Sequence, residues 1–180
     1  MSVRNILKCY SEASQDEIQS GLDWYPNAAF FAEQLGELRM SAGVIAALSP
    51  RQQWETNKKA AKKLINYADN FSFIPKVAGT YVNRMKAWRI AKGENPYNVL
   101  GLGKRNFKVL RFFENILGIK DVVTIDSWSA SVAIPNITTP YIRGRLYLEI
   151  EQDFKKAAKK IGVSPRDLQA ICWVKKRGKP

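Results

Sequence analysis

The stretch from Leu38 to Leu48, LRMSAGVIAAL, is apolar on nearly every side of a helix, and this constrains the chain more than any other segment. A surface helix keeps a polar face, whereas a helix without one must be surrounded by other elements. What surrounds it is also helical by pattern: apolar residues recur at three- and four-residue spacing, and the Pro and Gly residues stand singly between such stretches. The expected fold class is all-α.

The periodicity predicts an amphipathic helix over residues 2–20 and a second over 25–36, opened by Tyr25-Pro26. A basic surface helix follows over Trp54–Tyr67, with Trp54, Ala61, Leu64 and Ile65 on one stripe and Lys58, Lys59, Lys62 and Lys63 mostly elsewhere. Further helices are expected from about Thr80 to Ala91 and over Pro96–Leu100, and one resumes after Gly101-Leu102-Gly103 and runs through Ile116. The β-branched run DVVTI at 121–125 is too short and isolated to pair, and reads as an extended lead-in to a helix beginning at Asp126. Thr138–Pro140 breaks the chain again before helices over Arg145–Ile161 and Pro165–Lys176, the latter started by Ser164 with Asp167 in its first turn.

Composition enters through charge. Among 180 residues, 29 Lys and Arg face 16 Asp and Glu, a net charge of +13 that points to a polyanionic partner. There is no histidine, and the two cysteines, Cys9 and Cys172, are not at metal-ligand spacing, so no metal and no cofactor is expected. The N-terminal residues lack the apolar core of a signal peptide, and no apolar run approaches the ~20 residues needed to cross a bilayer. A cytoplasmic protein with reduced thiols is the expectation, in the host cytoplasm if the chain is phage-encoded.

Three constellations can carry chemistry. In NVLGLGKRNFKVLRFF, a Gly-x-Gly turn with cations after its second glycine joins two helical segments, and such a turn either cradles a phosphate on backbone amides or simply reverses the chain. In VVTIDSWSASVA, Asp126 precedes a helix, where a carboxylate caps the first turn or serves as a reactive acid. In AGVIAALSPRQQWETNKKAAKKLI, the end of the buried helix presents Arg51, Gln52 and Gln53 before the basic helix, either as a solvated loop or as a turn that reaches into a duplex.

Taken together, in this order, the three resemble the helix-hairpin-helix DNA glycosylase superfamily, and its endonuclease III-like members in particular. VIAALSPRQQWETNKKAAKKL is similar to an early motif of that family through Ser49, Asn57, Lys58, Ala60 and Leu64; Tyr81 and Lys86-Ala87 follow; Leu100–Phe107 stands for the hairpin; Ile125–Val132 stands where the family carries its catalytic aspartate. The resemblance spans roughly residues 42–134. It implies a two-lobed fold with a DNA-binding cleft between the lobes, one lobe formed by about 1–45 and 127–180, the other by about 46–126.

The implied activity is excision of a damaged or modified base from DNA by an N-glycosylase, with Asp126 as the catalytic carboxylate. The implied DNA contacts are Arg51, Gln52, Lys58, Lys62, Gly101, Leu102, Gly103, Lys104, Arg105 and Lys108, with Arg51 or Gln52 filling the space left by an extruded base. Trp128, Trp24 and Tyr25 are candidate walls of the base pocket, although helix aromatics more often belong to a core. Arg105 occupies the position of the Schiff-base lysine of bifunctional members, and a guanidinium that stays protonated cannot attack a sugar carbon, which disfavours lyase activity. Cys172 stands alone where the endonuclease III branch carries an iron-sulfur loop, and the closing AAKKIGVSPRDLQAICWVKKR is similar to small phage and mobile-element relatives. Some of those modify bases, so a base-hypermodification transferase and a non-catalytic DNA-binding protein are the alternative expectations, with a monomer in each case.

Overall fold

The computed structural model describes residues 2–101, 107–137 and 142–178. Among them no strand occurs, and ten helices follow one another: α1 (Ser2–Ser11), α2 (Gln15–Glu33), α3 (Leu38–Leu48), α4 (Trp54–Asn70), α5 (Tyr81–Ala91), α6 (Pro96–Gly101), α7 (Phe107–Ile116), α8 (Ser127–Ala133), α9 (Gly144–Ile161) and α10 (Pro165–Arg177). None of these helices is long and apolar enough to cross a membrane. The hairpin residues Leu102, Gly103, Lys104 and Arg105, and the break at Thr138–Pro140, lie outside the described residues.

The first two helices differ from the expectation. Instead of one helix over 2–20 the chain breaks at 12–14, because Ser14 and Glu17 form a reciprocal cap: Glu17 N–H donates to Ser14 Oγ at 3.2 Å, and Ser14 N–H donates to Glu17 Oε2 at 2.8 Å. Those hydrogen bonds hold the Glu17 carboxyl below its ordinary range. The helix so begun runs through Pro26 rather than starting there. Proline removes one backbone donor, and the buried Tyr25, Ala28 and Ala32 around it supply the packing that keeps the helix going. The basic helix α4 also extends one turn past Tyr67, to Asn70.

The chain divides into two compact units, Met1–Asn27 with Gly118–Pro180, and Ala28–Leu117. The division falls earlier than 46 and 127, the boundaries expected from sequence. In the second, central unit, α3 packs against α4, α5, α6 and α7, so it belongs with them rather than with the chain termini. Its residues Ser41–Leu48 are all buried, as an all-round apolar helix requires. Gly43 allows the close approach of α6, since a Cβ there would sit 2.9 Å from the Pro96 ring. The α3–α4 junction is tied by Asn57, 2% exposed, whose Nδ2 donates to the Ile45 carbonyl at 3.1 Å.

In the first, terminal unit, α1 packs on α8, α9 and α10, and α10 packs on α8 and α9. Tyr147, Ile150 and Phe154 of α9, Leu168 and Ile171 of α10 and Ile6 of α1 form its core. Gly21 brings the α2 and α10 backbones together, because a Cβ there would lie 2.5 Å from Ile171 Cα. The cysteines are free; Cys9 Sγ lies 3.9 Å from the Cys172 carbonyl and Cys172 Sγ 3.9 Å from that of Ile6. Hydrogen bonding to Cys9, with burial, pushes the Cys172 thiol well above its ordinary range.

Residues 121–125 are neither helix nor strand, and Asp126, which they lead into, has an extended backbone. A buried irregular segment must still satisfy its backbone, and at Val123 and Ile125 α9 side chains do so. Glu151 Oε1 accepts from Val123 N–H at 3.0 Å, and the Tyr147 hydroxyl accepts from Ile125 N–H at 3.0 Å while donating to the Val123 carbonyl at 2.8 Å. The segment thereby delivers Asp126 to the head of α8 from a fixed backbone.

Candidate functional site

Asp126 caps α8, with Oδ1 accepting from Ser129 N–H at 2.8 Å. Its second oxygen is also held: Oδ2 accepts from the indole Nε1–H of Trp173, on α10, at 2.9 Å. Capping alone needs one oxygen, so the second bond fixes the plane of the carboxylate. The side chain stays half-buried. Trp173 is itself oriented, with the Arg177 guanidinium carbon 4.7 Å from its ring centroid and Trp24 meeting it edge-on at 5.7 Å.

Behind the carboxylate lies a buried polar chain. The Tyr25 hydroxyl donates to Gln169 Oε1 at 3.0 Å, Gln169 Nε2 donates to Ser129 Oγ at 3.0 Å, and Ser129 Oγ donates weakly to the Thr124 carbonyl at 3.5 Å. Burial pushes the Tyr25 hydroxyl well above its ordinary range, against the lowering effect of a hydrogen bond with Thr124, and the charge of Asp126 adds to the rise. Tyr25 therefore stays a proton donor. Arg166, paired with Asp167 at 2.8 Å, lies over the Tyr25 ring at 5.5 Å, so both polar and aromatic parts of Tyr25 are engaged inside the unit. Two satisfied bonds at each step make this a rigid support for the helix that Asp126 heads.

The three aromatic candidates separate accordingly. Tyr25, 3% exposed, is part of the scaffold and is not the wall of an open pocket, because its ring is covered by Trp24 and Arg166. Trp24 is half-buried between Tyr25 and Trp173. Trp128, two residues beyond Asp126 and 44% exposed, is the one of the three that presents a large apolar surface to solvent.

In the central unit, Arg51 is exposed at the tip of the α3–α4 turn with a φ of +61°, a conformation that costs energy for a side chain with a Cβ. Gln52 beside it is half-buried, its N–H donating to the Ser49 carbonyl at 3.1 Å. Lys58 is less available than expected: its Nζ lies 2.7 Å from Glu55 Oε1 and within 6 Å of two rings, 5.5 Å from Phe31 and 5.7 Å from Trp54. Lys62 is exposed, and Lys108 is half-buried in the first turn of α7. Gly101 is exposed at the end of α6, where an added Cβ would meet nothing within 4 Å among the described residues.

Sequence reasoning missed Trp173, Gln169 and Ser129. One signal was present for the first, since a partly buried indole N–H requires an acceptor. Nothing local named Asp126, 47 residues away, as that acceptor.

No curated protein and no solved structure matches this chain. One family model does, along residues 1–180, and the protein accordingly belongs to a family of unknown function (DUF7178).

Proposed function

We propose that this protein is a monofunctional DNA N-glycosylase that excises an extruded base from double-stranded DNA, acting as a monomer without a cofactor. The observation that carries the reading is the Asp126 carboxylate, held through both oxygens by Ser129 N–H and Trp173 Nε1–H yet left half-buried, two residues before the exposed Trp128. Breaking the bond between C1′ and the base leaves positive charge on the sugar as the base departs with the bond's electron pair. A carboxylate aimed in advance at that charge lowers the barrier; water then adds to C1′, and the proton it loses goes to the departed base anion, leaving the free neutral base and an abasic sugar. Trp128 supplies a face on which a displaced base can stack.

The central unit supports the DNA part of the reading. Arg51, held at a positive φ on a turn tip, is the candidate wedge, because strain of this kind persists where the surroundings impose it and collects at functional positions. Lys62 is the exposed phosphate partner on α4, with Lys58 committed to Glu55. Gly101 is exposed at the end of α6 and an added Cβ would meet nothing within 4 Å among the described residues, so an outside group such as a phosphate can approach its backbone.

Duplexes carrying a panel of damaged and phage-type modified bases, incubated with the protein and read by mass spectrometry, test the proposal. Release of free base with an abasic strand is expected. An added mass on the strand would move the protein to the transferases, and unchanged DNA with tight binding would make it a binding module.

Trp173→Phe tests the aim of the carboxylate. It keeps the apolar ring and removes one hydrogen bond to a charged group, an interaction of about 1.5–3 kcal/mol. The single-turnover excision rate should fall roughly ten- to hundredfold, with substrate affinity unchanged. An unchanged rate would show that Ser129 N–H suffices to orient Asp126.

A further inference from the structure

A second cluster lies on the central unit, away in sequence from Asp126 and Gly101. At the end of α4, Tyr67, Phe71 and Phe73 form a contiguous ring group, with centroids 4.7 Å apart for Tyr67–Phe71, 5.4 Å for Phe71–Phe73 and 6.1 Å for Tyr67–Phe73. Phe71 is 45% and Phe73 62% exposed. Single exposed apolar side chains are ordinary, but three rings in mutual contact with two of them open to water form a face.

That face is held in place. Lys92 Nζ donates to the carbonyls of Ala68 and Phe71, the latter at 2.9 Å, and Lys63 Nζ donates to the Lys76 carbonyl at 3.3 Å while standing 5.9 Å from the Tyr67 ring centroid. Its surroundings are cationic. Lys59, Lys62, Lys63 and Lys76 are exposed along this part of the chain, against the single acid Asp69 in residues 59–80. Lys59 and Lys63 fall on the helical stripe that ends at Tyr67.

We propose that Tyr67, Phe71 and Phe73, with Lys62, Lys63 and Lys76, form a stacking platform for single-stranded nucleic acid. Exposed π-faces take unpaired bases, and the flanking ammonium groups take the phosphates between them. A duplex cannot use the platform, since its bases already stack on one another. A protein partner would fit a rim less dominated by one charge, and an interfacial membrane helix needs a free apolar face, whereas Ala61, Leu64, Ile65 and Ala68 of α4 are already buried in the protein. Lys62 is shared with the duplex reading above, but the ring platform itself holds whether or not the protein excises bases.

The test measures fluorescence anisotropy of the full chain with a labelled oligothymidylate of about twelve nucleotides and with a duplex of equal length. The variants are Phe71→Leu/Phe73→Leu and Lys62→Gln/Lys63→Gln, with folding checked by circular dichroism. The leucine pair keeps apolar area and loses the rings, so it should weaken oligothymidylate binding roughly tenfold or more while leaving duplex binding unchanged. The glutamine pair should flatten the salt dependence of single-strand binding. Independently of any variant, a bromodeoxyuridine-substituted strand should photo-crosslink the wild-type chain within residues 67–76. Wild-type affinity of the leucine pair, or crosslinks elsewhere, overturns the proposal. So does loss in that pair of self-association or of binding to phosphatidylserine vesicles with single-strand affinity retained.

Discussion

Asp126→Asn should lower base release by at least about a hundredfold, the scale seen when one preorganised electrostatic contact to a developing charge is removed. The substitution separates the two roles of the residue. Asparagine is as good a helix cap as aspartate, so its one carbonyl oxygen can still accept from Ser129 N–H. It has only that one acceptor, however, and Trp173 Nε1–H, now bonded to Oδ2 at 2.9 Å, loses its partner. The expected stability cost is therefore small, about 1–2 kcal/mol for one unpaired donor. Single-turnover kinetics beside a urea melt read both quantities. Excision at wild-type rate would make Asp126 a cap and nothing more, and the glycosylase reading would lose the carboxylate on which it rests. Asp126→Ala, which removes both acceptors, should cost more stability than the asparagine variant and so shows how much of any loss comes from the cap.

Tyr147→Phe should destabilise the protein by about 2–4 kcal/mol, a large share of the 5–15 kcal/mol typical of a folded domain. The ring is fully buried, so the substitution changes no apolar packing of consequence and deletes one hydroxyl. That hydroxyl accepts from Ile125 N–H and donates to the Val123 carbonyl, on a segment whose backbone has no neighbouring strand among the described residues. Both groups would be left buried and unpaired. Urea denaturation measures the loss, and a change under about 0.5 kcal/mol would mean that water replaces the hydroxyl. Because the segment leads directly into Asp126, excision per folded molecule should also fall, an effect that distinguishes mispositioning from simple unfolding.

How far the sequence speaks for itself depends on distance along the chain. Leu38–Leu48 is a buried helix by pattern and in fact, since an all-round apolar face leaves no other place for it. The Ser164 cap of α10 was legible for a local reason, since Asp167 N–H donates to Ser164 Oγ three residues back. The Ser14–Glu17 cap was equally local, and the continuous apolar spacing over 2–20 concealed it. Pro26 misled in the opposite direction, because a proline that usually opens a helix is carried inside one by the buried residues around it.

The candidate site divides along the same line. Asp126 at a helix head, the exposed turn at Arg51 and the basic face of α4 follow from residue type and spacing alone. That Trp173 fixes the second oxygen of Asp126, that Tyr25 is a buried donor to Gln169 instead of a pocket wall, and that Lys58 is engaged by Glu55 between two rings were decided only by tertiary structure. Helix spacing determines which side chains share a face, because the backbone repeats every 3.6 residues. It does not determine which face of a distant helix meets them: the partners of Asp126 and Tyr25 lie 47 and 144 residues away, and only the packing of α10 brings them there.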